Sequence, residues 1–217
     1  MESPQVSLKK HKGLHDSDSR FVEEVIKVVS SLDGSSSMKL KLFTKFPTRF
    51  TIILCDPPSM SLDDMNQILL MNDKIIHIKV NLQESQLRIE AYKHSETGKK
   101  KRKRPVEDME IPSGYNVSMV NKKDRKHMEG ILRSLLGMTT MEFTSEIHAT
   151  AGYYNLELRD IETMDIEYIV EVSQKYRAFI THIVFDYPQK KMLLKIRRND
   201  TPITSINTGR KRLKLRN

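Results

Sequence analysis

The stretch SLDDMNQILLMNDKIIHIKVNLQESQLRIEAY, Ser61 to Tyr92, changes its hydrophobic period partway along, and that change decides how the chain folds. In SLDDMNQILLMN (61–72), Leu62, Met65, Ile68 and Leu69 fall at the spacing that puts side chains on one helical face. Ser61 and Asp64 stand three apart at its start, a capping-box-like spacing that offers partners to the first unpaired backbone N–H groups. KIIHIKV (74–80) and QLRIEAYK (86–93) then alternate apolar and polar residues, the period of half-buried strands. A helix leading into two strands is expected.

The same order of patterns returns further along. FITHIVF (179–185) and KMLLKIRR (191–198) alternate in the same way 105 positions later, matching Ile78 with Ile183, Val80 with Phe185, Leu87 with Met192 and Ile89 with Leu194. TMDIEYIVEVSQKY (163–176), with Ile166, Ile169 and Val170, is the partner of the 61–72 helix. Before each helix come two strand-like runs, MKLKLFT (38–44) and RFTIILC (49–55) in one half, MEFTSEI (141–147) and YYNLELR (153–159) in the other. Before those stands a further amphipathic helix, SRFVEEVIKVVSSL (19–32) or KKDRKHMEGILRSLL (122–136). Short strands are expected to open the halves at QVSLKK (5–10) and NVSMVN (116–121).

Each half reads β-α-β-β-α-β-β. The fold class expected is α+β, two tandem pseudo-repeats with antiparallel sheets and helices on one face. Residues 1–93 form the first repeat and 115–199 the second. Between them, Gly98, Pro105, Pro112 and Gly114 with a dense charge run make 94–114 a flexible basic connector, and 200–217 is a basic tail.

The chain has 217 residues and a net charge of +9. Six cations lie in Lys99, Lys100, Lys101, Arg102, Lys103 and Arg104, and five in Arg210, Lys211, Arg212, Lys214 and Arg216. Together they exceed the whole positive excess, so the remainder is close to neutral. A protein that reads nucleic acid with its folded face normally carries the excess on that face. KKKRKRPVED closely resembles the large-T-antigen type of nuclear import signal, which implies an import receptor as partner and the nucleus as destination. The tail cluster reads as a second signal or a phosphate-binding segment, and either cluster would add salt-dependent affinity without base reading.

The residues Leu62, Met65, Ile68, Leu69, Ile75, Ile76 and Leu87 also stand in an order similar to sliding DNA clamps of the proliferating-cell-nuclear-antigen and viral processivity-factor type. There a Leu-x-x-Met-x-x-Ile-Leu helix leads into an Ile-Ile strand and a Leu-containing strand. The resemblance covers residues 5–198 loosely, including the duplication and the long mid-chain connector. It implies a non-enzymatic processivity or accessory factor of DNA replication or transcription, joined sheets forming an outer wall and helices facing the duplex. The partners implied are DNA through its phosphates, polymerase or other replication and transcription proteins, and further copies of the chain to complete an encircling ring. The 122–136 helix, with Lys122, Lys123, Arg125, Lys126 and Arg133, suits a phosphate-facing surface, whereas SLDDMNQ and TMDIEYIVE are acidic.

Two other readings stay open. Leaving out the last strand of each half gives β-α-β-β-α-β, the ferredoxin-like order of many nucleic-acid-binding modules. A near-neutral body is also what a structural or assembly protein with import tags would have. For base stacking, Tyr153 and Tyr154 after Gly152 are the nearest candidates, with ordinary packing tyrosines as the bland alternative, and RFTIILC offers only Phe50.

Catalytic patterns are absent: there is no phosphate-binding glycine loop, HExxH or GxSxG, so no enzyme, cofactor or metal is expected. His77 and His182 occupy matching strand positions and read as solvent-facing, without a ligand partner at metal spacing. Asp63, Asp64, Asp16 and Asp18 read as helix-start residues, and the methionines, among them Met60, Met65, Met71, Met138, Met141 and Met164, as core filling. Cys55 is the only cysteine, which excludes an internal disulfide and fits a reducing compartment. No run of about 18 apolar residues occurs, and the first residues lack an apolar secretory core, so no membrane partner is expected.

Overall fold

The structure, a computed structural model, describes residues 14–32, 38–44, 46–71, 75–93, 117–137, 143–161 and 163–199. The expected opening strand at 5–10, the import-type cluster and the tail cluster lie outside them. Residues 16–92 run α1 (Asp16–Ser30), β1 (Lys39–Phe43), β2 (Arg49–Cys55), β3 (Met60–Ser61), α2 (Leu62–Met71), β4 (Ile75–Asn81) and β5 (Gln86–Tyr92). Residues 122–197 run α3 (Lys122–Leu136), β6 (Thr144–Thr150), β7 (Tyr153–Arg159), β8 (Met164–Asp165), α4 (Ile166–Lys175), β9 (Ile180–Asp186) and β10 (Lys191–Arg197). The protein is α+β, with four helices and two antiparallel five-stranded sheets among the described residues.

Sheet A has the order β1-β2-β5-β4-β8, and sheet B the order β3-β9-β10-β7-β6. Each sheet ends on a two-residue strand taken from the other end of the chain. Met60 and Ser61 pair with Phe185 and Val184 of β9, while Met164 and Asp165 pair with Val80 and Lys79 of β4. Both methionines are buried, Met60 completely. Two side-chain bonds reinforce the exchange: Ser59 Oγ donates to Asp186 Oδ1 (3.2 Å), and Asn81 Nδ2 donates to Thr163 Oγ1 (3.4 Å).

One face of each sheet is buried. Phe50, Ile52 and Leu54 of β2 line up with Ala91, Ile89 and Leu87 of β5, and Tyr154, Leu156 and Leu158 of β7 with Ile196, Leu194 and Met192 of β10. The inner stripes of all four helices join the same hydrophobic core, Phe21, Val25 and Val29 from α1, Met65 and Ile68 from α2, Ile131 and Leu135 from α3, and Ile169 and Val172 from α4. Burial of this kind contributes about 1.5–3 kcal/mol per large aliphatic or aromatic side chain.

The capping box at α2 forms as its spacing predicts: Asp64 Oδ2 accepts from the Ser61 N–H (2.7 Å), and Ser61 Oγ accepts from the Asp64 N–H (3.2 Å). Other expectations are corrected. NVSMVN does not open the second half as a strand, because Val117 to Val120 make a turn closed by Val120 N–H to Val117 O (3.0 Å). Asn121 then caps α3 by accepting from the Asp124 N–H (2.9 Å). MEFTSEI is shifted to Thr144–Thr150, since this edge strand buries little and carries no clear alternation. The helix expected at 163–176 begins only at Ile166, because Met164 and Asp165 are spent on β8. The ferredoxin-like arrangement set the last strand of each half aside, yet β5 lies between β2 and β4, and β10 between β7 and β9, at the middle of their sheets.

Candidate nucleic-acid interface

In α3 the first turn reads KKDRK, and its burial sorts the charges. Lys122, Lys123, Arg125 and Lys126 are exposed, as is Arg133 three turns from the start, whereas Asp124 is only 4% exposed. Asp124 Oδ1 accepts from the Asn199 backbone N–H (3.1 Å) and from Asn199 Nδ2 (2.6 Å), and its Oδ2 accepts from Tyr154 Oη (3.2 Å). Tyr154 Oη in turn accepts from the Asn121 N–H (3.1 Å), and the Arg198 guanidinium lies 5.4 Å from the centre of its ring. Burial pushes the Tyr154 phenol above the ordinary tyrosine range; the Asn121 N–H opposes that rise, and the Asp124 carboxylate adds to it. This inward aspartate ties α3 to β7 and to the chain beyond β10, which fixes the rotation of the helix and turns its cations outward.

Helical spacing places Lys122, Arg125, Lys126, Glu129 and Arg133 on one stripe. Glu129, the one acid in the stripe, pairs with Arg133 at 3.9 Å. Basic residues at a helix N-terminus oppose the macrodipole, at about 0.3–1 kcal/mol each where exposed. Four of them there are not what helix stability alone would select. The other helices differ: α1 starts with Asp16 and Asp18, α2 with Asp63 and Asp64, and α4 carries Glu167 in its first turn.

Facing α4, Gly130 of α3 admits Tyr176 of the α4 C-cap so closely that a Cβ there would lie 2.7 Å from Tyr176 Oη. The Lys175 ammonium donates to Ser134 Oγ (3.4 Å) across the same contact.

The outward faces of the sheets carry groups that sequence reading did not single out. On sheet B, Glu157 is nearly buried between Lys191, whose Nζ donates to it at 3.1 Å, and the Arg159 guanidinium. Burial would raise this carboxyl, but the two cations outweigh it and hold it below the ordinary carboxylate range. On sheet A, Phe43 is 44% exposed, and Phe46, in the loop before β2, is 52% exposed with the Arg49 guanidinium 5.7 Å from its ring centre. The signal was present in KLKLF, where the outward alternation Lys39, Lys41, Phe43 ends on a ring.

Tyr153 and Tyr154 do not form a stacking pair: Tyr154 is buried, and Lys195 sits 4.4 Å from the centre of the half-buried Tyr153 ring. Phe50 is a core residue meeting Phe21 edge-on at 6.1 Å. His182 is exposed, while His77 is half-buried on sheet A, opposite Glu90. Met60, Met65 and Met164 are core residues; Met138 and Met141 lie outside the described residues. Between the start of α2 and β9 lies a shallow groove of about 70 Å³ lined by Ser61, Asp63, Ser173, Thr181 and His182. Among the described residues no three His, Cys, Asp or Glu side chains stand together as a metal site, and no helix is long and apolar enough to cross a membrane.

Comparison with known protein families, curated proteins and solved structures finds no match to this chain.

Proposed function

We propose that this chain is a nuclear, non-enzymatic protein that holds duplex DNA by its phosphates, a clamp-like accessory or processivity factor built from two tandem pseudo-repeats. The observation that carries the reading is α3, whose cation stripe is exposed, unfavourable to its own helix and held in a fixed rotation by the buried Asp124. Such a surface contacts phosphates without reading bases.

The repeat draws support from backbone details that hydrophobic patterning does not contain. Among the described residues the four non-glycine residues with positive φ fall in two pairs at matching places, Asp56 with Asp160 after β2 and β7, and Ser85 with Lys190 before β5 and β10. The exchanged strands β3 and β8 are reciprocal in the same sense. Because each sheet contains strands from both halves, the body is one unit rather than two modules on a string. Its long edge strands are β1, with outward Lys39 and Lys41, and β6, with outward Glu146. Among the described residues neither edge has a further strand partner, and their opposite charge favours head-to-tail addition of further copies, as an encircling assembly requires.

The test is duplex binding by the full chain and by a chain lacking both basic clusters, over a range of salt. The body should retain measurable affinity, and K122E/R125E/K126E should abolish it, with the salt slope falling by about 0.9 per lost contact. Loss of all affinity with the clusters alone would favour the assembly-protein reading. Replacing Lys99 to Arg104 with alanine should leave folding intact and move a fluorescent fusion out of the nucleus.

A further inference from the structure

We propose that the outward face of sheet A binds single-stranded nucleic acid, stacking bases on Phe43 and Phe46 and following the phosphates with cations of β1, β5 and β4. This goes beyond duplex holding by α3, since it uses a different face and an unpaired strand.

Register fixes what shares this face. Phe43 stands opposite Thr51, Arg49 opposite Tyr92, and Lys41 opposite Ile53. Ile53 is opposite Arg88, Arg88 is opposite Lys79, and Lys79 is opposite Asp165, so Lys41, Ile53, Arg88, Lys79 and Asp165 form one row across the sheet. Adjacent strands are about 4.8 Å apart, and like charges directly opposite destabilise a sheet. Only Arg88 and Lys79 oppose one another directly, and the surplus of cations over acids on this face suits an anion outside the protein. The outward face of sheet A carries two acids among the described residues, Glu90, engaged by Arg88 (2.7 Å) and Arg49 (3.8 Å), and Asp165 of β8, opposite Lys79; Lys39, Lys41, Arg49, Arg88 and Lys79 outnumber them.

The rings decide which anion. Phe43 and Phe46 are two of the four large hydrophobics left exposed among the described residues, and they sit at one end of the cationic face with Arg49 beside them. Exposed aromatic faces next to a basic track bind single strands, because every unpaired base offers a flat π-surface, whereas a duplex hides its bases. An acidic protein surface would match the cations but would leave the rings without purpose. Sheet B shows that the pattern is not a by-product of the architecture. Its outward face sets Glu146, Glu157 and Asp186 among its cations, and its one aromatic on β7, Tyr153, is covered by Lys195.

The test uses the full chain, with fluorescein-labelled dT20 and a 20-base-pair duplex read by anisotropy at several salt concentrations. F43A/F46A removes no charge, so its effect is separable from the basic clusters, and both rings are exposed enough for the fold to survive, which circular dichroism checks. Affinity for dT20 should fall about ten- to a hundredfold with the salt slope unchanged, while duplex affinity moves less than about twofold. F43L/F46L, which keeps apolar bulk without a ring, should lose nearly as much. K41A/R88A should lower the dT20 salt slope by about 1.4, from about 0.7 per phosphate contact. Unchanged dT20 affinity in F43A/F46A, equal losses on dT20 and duplex, or full affinity in F43L/F46L would overturn the proposal. Loss of dT20 binding with duplex binding intact leaves the α3 reading standing, and the α3 charge reversal should spare the aromatic contribution to dT20.

Discussion

Replacing Asp124 with alanine removes the one acid of the KKDRK turn while leaving every exposed cation of α3 in place. Its carboxylate accepts from three donors: Tyr154 Oη, the Asn199 N–H and Asn199 Nδ2. Hydrogen bonds to a charged acceptor contribute about 1.5–3 kcal/mol each, and a buried donor left unmet costs about 1–3 kcal/mol. Asn199 is exposed and its donors can turn to water, so the lasting loss falls on the buried Tyr154 hydroxyl and on the tie between α3 and β7. The net destabilisation expected is about 2–4 kcal/mol, and a urea slope of about 2 kcal/mol/M turns that into a midpoint lowered by about 1–2 M. Tyr154→Phe should cost about 1–2 kcal/mol, because Asp124 loses one donor and the Asn121 N–H loses its acceptor. The two changes share one contact, so the double variant should be more stable than the sum of the singles predicts, by about 1–2 kcal/mol. Equilibrium unfolding followed by far-ultraviolet circular dichroism measures all three. A single-variant loss below about 0.5 kcal/mol, or strict additivity, would refute the role given to Asp124 as the strut of α3.

Met60→Ala removes a fully buried side chain and should cost about 2–5 kcal/mol; hydrogen exchange should quicken first in β9, its strand partner, although that strand lies more than a hundred residues away. Met164→Ala should do the same to β4, and quickening confined to the variant's own half would contradict the exchange of strands. Glu157 is held below the ordinary carboxylate range when folded, so its contribution is present above the unfolded value near 4.5 and is lost as pH falls through the folded value. Glu157→Gln should thus lower stability at pH 7 and flatten the acid limb of the stability profile, and an unchanged limb would refute the ion network. Cleavage at a protease site engineered between residues 94 and 116 should leave the two pieces together on gel filtration, because each sheet holds strands from both.

Much of this fold was legible in hydrophobic period. The runs 49–55, 122–136 and 153–159 match their elements residue for residue, because each has one apolar face with a clear period and a defined end. What stayed hidden lacks period. β3 and β8 have two residues each, too few to show alternation, and their partners lie in the other half of the chain, so no local pattern could announce them. β6 is an edge strand with little to bury, and its apolar flank Met141 to Phe143 drew the reading too early. The α3 cations were visible as a stripe, but the role of Asp124 depends on Tyr154 and Asn199, residues 30 and 75 positions away. The aromatic end of sheet A was missed for a different reason: Phe50, in a clear strand, is the ring that alternation buries, and Phe43 and Phe46 stand on an edge strand and a loop.

On the repeat reading, the two halves show what was kept and what diverged. Phe50 and Tyr154 sit at matching places on β2 and β7, and Asp18 and Asp124 both lie buried in the first turns of their helices. Only the second half has the phenol hydroxyl that bonds its aspartate, and only there does the helix carry a cation stripe; the first helix exposes Glu23 and Glu24 instead. The opposite holds for the sheets, where the outward face with exposed rings belongs to sheet A, and both faces carry ion pairs, Arg88 with Glu90 on A and Lys191 with Glu157 on B. Cores constrain both halves alike, because burial fixes side-chain size and polarity on the inner faces. Outward faces are under no such constraint, so a difference there that opposes local stability, such as four cations on a helix start, is what the proposed contact with a partner outside the fold would explain. On the proposed reading both differences answer to the same chemistry, a polyanion, met at two sites.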